Sequence, residues 1–292
     1  MKEYSDTGSG VGFNQNMRTR WSAVAQSFAL ASSVVLACAS SAQGAAGRSS
    51  ENLRPQAEQL FALANQARAA EGAGPLRWDP SLAAAALAHC QRMAAEGPIS
   101  HRYGGEPDLA ERAGKAGAHF SLIEENVALG SYVARIHEGW MNSPGHRSNL
   151  LNPSVDRVGI AVVSASGLFY AVADYARAVD VLTAAQVESA VAGLIRRSGV
   201  AIRQDPTLAR AACAVDHGLP AAAVDSPPAF VMRWQNPDLS QLPGDLMEKL
   251  GSGRYSQAAI GSCPAQDTNG SFTVYRVAVL LYSSSARPKP FE

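Results

Sequence analysis

The stretch of sequence that decides the fold, residues 137–163, reads HEGWMNSPGHRSNLLNPSVDRVGIAVV. Pro144 and Gly145 interrupt a helical segment, because proline lacks a backbone N–H and glycine favours turns. We therefore expect His146 to leave a turn at a defined position. The Asn152-Pro153 pair breaks the chain again, before an apolar run that is typical of a β-strand.

Helix and strand signals alternate on both sides of this stretch. Residues 60–67 carry apolar side chains at helical spacing, and Asp79-Pro80 is typical of the start of a second helix. Residues 132–142 predict a further helix. Two short apolar runs, 158–163 and 168–173, predict a β-hairpin. This order of elements predicts an α+β fold in which helices flank an antiparallel sheet.

The second part of the chain, residues 177–292, resembles a degenerate copy of residues 55–176. The motif LRWDPSL at 76–82 recurs as IRQDPTL at 202–208, and Ala-rich helix follows both. Chance repetition of an Asp-Pro helix start is the alternative explanation. A second hairpin at the end of the chain, joined through Asn269-Gly270, favours a true repeat.

The middle of this second copy differs from the first. Residues 217–255 contain a Pro-rich loop and His217, with no counterpart of Pro144-Gly145-His146. We therefore expect a candidate site only in the first copy.

The N-terminus has the pattern of a targeting segment. Arg18 and Arg20 precede an almost uncharged run of small and apolar residues, so residues 1–43 predict a cleaved signal peptide, with Met17 as an alternative start. Residues 44–54 are small and polar, as expected of a linker. The predicted location is secreted, or periplasmic in the cell envelope. An uncleaved N-terminal membrane anchor is one alternative.

The four cysteines bear on the same question. A lipoprotein in which Cys38 carries a lipid is the other alternative for the leader. If Cys38 leaves with the leader, Cys90, Cys213 and Cys263 remain, and two of three cysteines in an exported chain are expected to pair. The repeat places Cys213 on a helix and Cys263 after a strand of the same half, so we predict a Cys213–Cys263 disulfide. Cys90, next to His89 on an apolar helix, is expected to be buried and unreactive.

The charge balance excludes some partners. Lys and Arg together number 25, as do Asp and Glu, so the formal net charge is zero. The chain therefore lacks the basic excess that favours nucleic-acid binding. Contact with a membrane is expected only through the leader or a lipid on Cys38, and the oligomeric state is not determined by the sequence.

Three segments carry candidate site residues. They are centred on His101, Glu125 and His146. Two imidazoles and a carboxylate are typical ligands of Zn²⁺ and of other divalent cations. Four neighbouring polar residues are secondary candidates: Tyr103, Glu124, Asn126 and Ser143.

The run WMNSPGHRSNLL and the order of the three segments resemble the CAP superfamily, which comprises cysteine-rich secretory proteins, antigen 5 and pathogenesis-related proteins. The similarity is to its bacterial SCP-like branch. The resemblance implies an α-β-α sandwich over residues 55–176, with His101, Glu125 and His146 at a central cavity. It also implies, for some members, a bound lipid or sterol and a metal ion. In this sequence, Ser143 replaces a second glutamate that many members carry.

Three functions remain open. The first is a non-catalytic binding module of the cell envelope that binds a divalent metal or a small hydrophobic ligand. The second is a metal-dependent hydrolase or protease in which Glu125 acts as base. The third is an interaction module in which the His/Glu set only holds loops together.

Overall fold

The computed structural model describes residues 54–223, 226–265 and 271–283, which belong to one compact unit. The predicted leader, nearly all of the predicted linker and the Asn269-Gly270 turn lie outside the described residues. Within the described ranges, no helix is long and apolar enough to cross a membrane.

The first half contains nine helices and strands around one four-stranded sheet. The strand order is β1-β3-β4-β2, in which β1 and β3 are parallel and the other neighbours are antiparallel. The predicted antiparallel sheet therefore gains a short parallel edge. The elements are α1 Arg54–Ala70, β1 Arg77–Trp78, α2 Pro80–Glu96, α3 Leu109–Lys115, β2 Phe120–Gly130, α4 Val133–Asn142, α5 Pro144–Leu151, β3 Arg157–Ala165 and β4 Leu168–Ala178.

Two helical layers cover this sheet, as the predicted α-β-α sandwich requires. One core includes Leu60 of α1, Trp140 of α4 and Leu150 of α5, which pack on one face of the sheet. The other face is covered by α2 and α3, with Leu82 and Met93 among its buried residues. Because both faces are buried, β3 and β4 are almost continuously apolar.

Local signals in the sequence explain two boundaries. The Asp79 side chain accepts hydrogen bonds from the backbone N–H groups of Ser81, at 2.8 Å, and Leu82, at 3.0 Å, and so caps α2. The β3–β4 hairpin turns through Ser166 and Gly167, with φ angles of 53° and 75°. A pair of positive φ values matches the right-handed twist of the strands.

The expected turn before His146 was wrong. Pro144 is the first residue of α5, and Ser143 provides a single extended residue between α4 and α5. The first turn of a helix tolerates proline, because the N–H groups there have no intrahelical partner. His146 therefore lies on the first turn of a helix.

The second half repeats this topology. Its sheet has the order β5-β7-β8-β6, with β5 parallel to β7 and antiparallel pairs elsewhere. It is a second CAP-like half. The elements are α6 Ala184–Arg196, β5 Ala201–Ile202, α7 Thr207–Ala214, β6 Phe230–Asn236, α8 Gly244–Gly251, β7 Tyr255–Cys263 and β8 Tyr275–Ser283.

Each half has a glycine where a helix crosses the sheet. A Cβ atom added to Gly159 of β3 would lie 2.0 Å from the backbone nitrogen of Ala83 in α2. A Cβ atom added to Gly261 of β7 would lie 2.1 Å from the backbone nitrogen of Arg210 in α7. Only glycine allows such contact, so both halves pack helix on sheet in the same way.

The middle of the second half is more complete than the sequence suggested. Residues 217–255 contain β6 and α8, which stand where β2 and α4 stand in the first half. The mixed apolar and polar sequence FVMRWQN concealed β6, because its side chains are only partly buried. Within these residues, no helix follows α8 as α5 follows α4.

Cys213 and Cys263 form a disulfide in the second half, with Cα atoms 5.8 Å apart, as predicted. It joins α7 to the end of β7. Cys90 is free and buried, and burial raises the pKa of its thiol to about 12. It is therefore an inert core residue.

Candidate functional site

The edge strand β2 carries the centre of the candidate site. Glu125 and Asn126 are adjacent, so their side chains point to opposite faces of the sheet. Glu125 contacts residues of the α2–α3 layer, whereas Asn126 contacts α5. The site therefore spans both helical layers at one edge of the sheet.

Glu125 is buried, and both of its oxygens are occupied. Oε1 lies 2.8 Å from Nδ1 of His101, and Oε2 accepts a hydrogen bond of 2.6 Å from Nη2 of Arg112 in α3. The Arg112 side chain is 6% exposed, whereas that of His101 is 60% exposed. Of the two partners of Glu125, His101 therefore faces solvent, whereas Arg112 is buried and neutralises the carboxylate from the protein interior.

A second buried His–Glu contact lies next to this one. Nδ1 of His89 is 2.7 Å from Oε1 of Glu106, and Nε2 is 2.9 Å from the backbone oxygen of Ser100. One ring nitrogen thus faces a carboxylate and the other faces a backbone carbonyl. Burial opposes ionisation of Glu106. The hydrogen bonds from His89 and from the Tyr103 N–H outweigh it and lower the Glu106 pKa. Nε2 is also 3.9 Å from Oε2 of Glu125, which links the pairs.

Asp174 adds a third carboxyl group to this cluster. It lies directly opposite Glu125 in the β2–β4 register and is completely buried. Burial and then the negative charge of Glu125 raise the pKa of Asp174 well above its ordinary value, although Arg112 opposes the shift. Neither Asp174 oxygen has a hydrogen-bond partner among the described residues within normal bonding geometry. We therefore treat Asp174 as protonated.

His146 approaches the same edge from the other layer. Asn126 donates a hydrogen bond of 2.9 Å from Nδ2 to the backbone oxygen of His146, which fixes the first turn of α5 against β2. Asn149 of α5 donates in turn to Oδ1 of Asn126, at 3.0 Å. Burial lowers the pKa of His146, and positive charge on His101 lowers it further. The two imidazoles are thus close enough to repel each other when charged.

The end of α5 is held by a buried arginine. Arg68 of α1 is 1% exposed and donates hydrogen bonds to four backbone oxygens. One guanidinium therefore fixes the segment that follows the site helix. The acceptors are Gly74 at 2.6 Å, Leu150 at 2.8 Å, Asn152 at 2.9 Å and Val155 at 3.2 Å.

Two of the secondary candidates, Glu124 and Tyr103, hold loops in place. Glu124 accepts two hydrogen bonds of 3.0 Å from Nδ2 of Asn152. The Tyr103 hydroxyl donates to the Pro98 backbone oxygen at 2.6 Å. Ser143 marks the break between α4 and α5 and makes no capping hydrogen bond.

The described residues do not fit a metal ion as they are arranged. No three His, Cys, Asp or Glu side chains within the described ranges are grouped so that they could hold one. Glu125 would have to give up its bond to Arg112 or His101, and the Arg112 charge would repel a cation. Zinc binding by His101, Glu125 and His146 stays a prediction.

Sequence reasoning missed four members of the cluster: His89, Glu106, Arg112 and Asp174. Asp174 could have been recognised from the sequence. It lies inside the apolar sequence YAVADYA, and burying a carboxylate costs free energy unless the group is paired. In the sequence, His89 stands out only as the neighbour of Cys90 on an apolar helix. Its true partners lie on loops whose approach the sequence does not reveal.

An apolar groove lies at the opposite edge of the same sheet. Strand β1 covers only the first two residues of β3, so the remaining edge of β3 is open between α1 and α2. The groove there has a volume of about 440 Å³. Arg54 is the one charged residue among its described lining. The groove is lined mainly by Ala57, Trp78, Ala84, Leu87, Ile160 and Val162.

Comparison with known proteins agrees with this architecture. The family model described as "CAP: Cysteine-rich secretory protein family" matches residues 61–175. This segment belongs to the CAP superfamily. It includes all of the His/Glu cluster and most of the apolar groove.

Two curated relatives come from Bacillus subtilis. The uncharacterized protein YkwD is 29% identical over 116 residues, which are 38% of this chain and 44% of that protein. The uncharacterized membrane protein YlbC is 34% identical over 110 residues, or 36% of this chain and 31% of that protein. The chain therefore spans less than half the length of either relative.

Solved structures show the same kind of similarity. An extracellular protein containing an SCP domain from Bacillus anthracis is 28% identical, with a TM-score of 0.42, and the match covers 47% of this chain and 45% of that one. A cysteine-rich secretory protein from Staphylococcus aureus is 25% identical, with a TM-score of 0.37, and covers 44% and 40%.

Proposed function

We propose that this chain is an exported, non-catalytic binding module of the cell envelope, and that its ligand is a fatty acid held in the apolar groove between α1 and α2. Export is supported by the predicted leader and by the Cys213–Cys263 disulfide, since disulfides persist in oxidising compartments. The matched family is described as secretory.

The observation that carries the proposal is the groove itself. Its volume of about 440 Å³ lies in the range of small-molecule sites, and aliphatic and aromatic side chains form most of its wall. Arg54 stands at its rim as the one lining cation, where it also bonds Glu58 at 3.0 Å. A carboxylate at Arg54 with an acyl chain along Trp78 and Leu87 matches this pattern of charge.

The His/Glu cluster supports a framework role better than a catalytic one. A general base needs a free carboxylate near the proton that it removes. Glu125 accepts hydrogen bonds on both oxygens and is neutralised by Arg112. In this proposal the cluster joins the loop of His101, α2, α3 and β2 into one rigid edge, which keeps the sandwich that forms the groove in shape.

The fluorescent fatty acid cis-parinaric acid tests the groove directly. We expect saturable binding to the purified full chain. Phenylalanine in place of the exposed Ala84 would fill the groove, so Ala84→Phe should weaken binding at least about tenfold, which corresponds to about 1.4 kcal/mol. The matched control is Ala88→Phe, an exposed position on the same helix outside the groove lining.

Equal binding by the Ala84→Phe variant and the wild type would place the ligand elsewhere and overturn the proposal. Failure of the wild type to bind would overturn it as well. Extraction of protein purified from its native compartment, followed by mass spectrometry, should recover fatty acid from the wild type and much less from Ala84→Phe.

A further inference from the structure

A large groove separates the two halves of the described unit. It lies where the ends of the first sheet face α6, the loop after β6 and the start of β8, and its volume is about 1020 Å³. Neither half forms it alone.

Direct contacts hold the two walls in place. The Thr273 N–H donates a hydrogen bond of 2.8 Å to the backbone oxygen of Phe120. The Tyr275 hydroxyl donates one of 2.6 Å to the backbone oxygen of Asp180. The rings of Phe120 and Phe272 pack edge to face with centroids 5.3 Å apart. These contacts join the two halves of the molecule directly.

The wall from the first half is basic. Arg77 and Arg157 are register partners on β1 and β3, and Arg157 also pairs with Ala176, the residue before Arg177. Arg157 is neutralised by Asp156 at 2.7 Å. The guanidinium groups of Arg77 and Arg177 make no hydrogen bond or ion pair with another residue that the structure describes.

Two further carboxylates, Asp238 and Asp180, line the groove. Asp238, in the loop after β6, accepts a hydrogen bond of 2.8 Å from the Ser240 N–H and lies within the electrostatic reach of Arg177. Asp180, in the segment that joins the halves, is exposed, and its carboxylate has no hydrogen bond or ion pair with a described residue. The lining thus has three arginines and three aspartates in total, of which Arg157 and Asp156 neutralise each other.

We infer that this groove is a binding site for a short peptide with both ends free, whose carboxylate lies at Arg77 and Arg177 and whose ammonium group lies at Asp180. Guanidinium and carboxylate groups form strong, directional hydrogen bonds. A groove that offers both guanidinium groups and a carboxylate without described partners favours a ligand that carries both charges. Its volume is at the upper end for small-molecule sites, which suits several residues of peptide.

The second half contributes to this groove although it lacks the carboxyl cluster of the first half. At the register position of Glu125 and Asp174, the second half has Arg233 and Ala278, so it does not repeat the carboxyl pair of the first half. It does supply Asn236, Asp238 and Tyr275 to the lining of the groove. The site is independent of the proposed fatty-acid groove, which lies within the first half.

Three forms of one peptide test the charge requirement. We would titrate tetra-alanine, N-acetyl-tetra-alanine and tetra-alanine amide into the full chain by isothermal titration calorimetry at low salt. Tetra-alanine should bind, and each blocked form should bind at least tenfold more weakly, because each has lost one charge. Equal binding of all three forms, or no binding of tetra-alanine, would overturn the inference.

Substitutions then locate each end. The double variant Arg77→Gln with Arg177→Gln should weaken tetra-alanine binding about tenfold and leave binding of the amide form unchanged. Asp180→Asn should weaken tetra-alanine binding and leave the acetylated form unchanged. Arg196→Gln, an exposed arginine of α6 outside the groove lining, is the control for charge and should have no effect.

Loss of binding by Arg196→Gln, or an equal loss of all three peptides in the double variant, would contradict the assigned orientation. Thermal unfolding shows whether each variant is folded. Titration with cis-parinaric acid on the same variants separates the two sites, since the fatty-acid groove should be unaffected by changes at Arg77, Arg177 and Asp180.

Discussion

Glu125 and Asp174 lie directly opposite each other on β2 and β4, and both side chains are buried in the α2–α3 layer of the first half. Two carboxyl groups at such a position cannot both ionise without a large cost. Arg112 bonds Glu125 and thereby selects it as the ionised member. The pKa of Asp174 is raised, so Asp174 is the member that keeps its proton.

The neutral state of Asp174 predicts a pH dependence of stability. Its pKa is raised in the folded protein above the ordinary 3.8, first by burial and then by Glu125. Above about pH 4 the unfolded chain loses this proton while the folded chain keeps it, so stability falls as pH rises towards the raised pKa. The substitution Asp174→Asn replaces this carboxyl group with an amide that does not titrate. Relative to the wild type, the variant should gain up to about 1.4 kcal/mol for each pH unit in that window.

Urea unfolding of both proteins at pH 5 and pH 7 measures the effect. The other ionisable groups are the same in both proteins, so the difference between them reports on Asp174. A stability difference that is the same at both pH values would show that Asp174 is ionised in the folded protein.

Much of the fold was predictable because its signals are local. The Asp79-Pro80 helix start, the β3–β4 hairpin and the repeated half all follow from backbone chemistry that acts over a few residues. The end of β4 was not predictable. The prediction stopped at Ala173 because Asp174 looks like a strand end, yet the strand continues to Ala178 once Asp174 is buried in the cluster.

The site was predictable only in part, for a physical reason. Sequence motifs predicted His101, Glu125 and His146 as site residues. In the structure, Nδ1 of His101 lies 2.8 Å from Oε1 of Glu125. Arg112 occupies the other oxygen of Glu125 through a tertiary contact between α3 and β2, which no local pattern specifies. The position of this arginine decides whether the carboxylate is available to a metal ion.

Gly159 should tolerate no side chain. In Gly159→Ala the new methyl group would meet the backbone of α2 at 2.0 Å, and a helix backbone cannot move away cheaply. We expect a loss of about 3 kcal/mol or more in the free energy of unfolding, measured in urea. The control is Gly139→Ala in α4, where nothing lies within 4 Å and the helix should gain about 0.5–1 kcal/mol. Similar stabilities for the two variants would contradict the crossing of α2 over β3.

The Cys213–Cys263 disulfide should stabilise the second half. It closes a loop with a sequence separation of 50, for which the chain-entropy estimate is about 4 kcal/mol. The double variant Cys213→Ala with Cys263→Ala should therefore unfold at markedly lower urea concentration. Cys90→Ala, which leaves the disulfide intact, is the matched control for loss of a buried sulfur. A peptide map under non-reducing conditions in which iodoacetamide labels Cys263 in the native wild type would rule the bridge out.

Zinc titration decides between the metal-site prediction and the observed arrangement of Glu125. Because Arg112 and His101 occupy both of its oxygens, we expect calorimetry to show no saturable binding of one Zn²⁺ per chain. For the same reason, His146→Ala should behave as the wild type does, and His119→Ala, an exposed histidine outside the cluster, serves as the control. Binding of one zinc ion that is lost in His146→Ala and kept in His119→Ala would show that Arg112 gives way to a metal. In that case Glu125 would be free to act as a base, and a metal-dependent hydrolase would again be a chemically reasonable function.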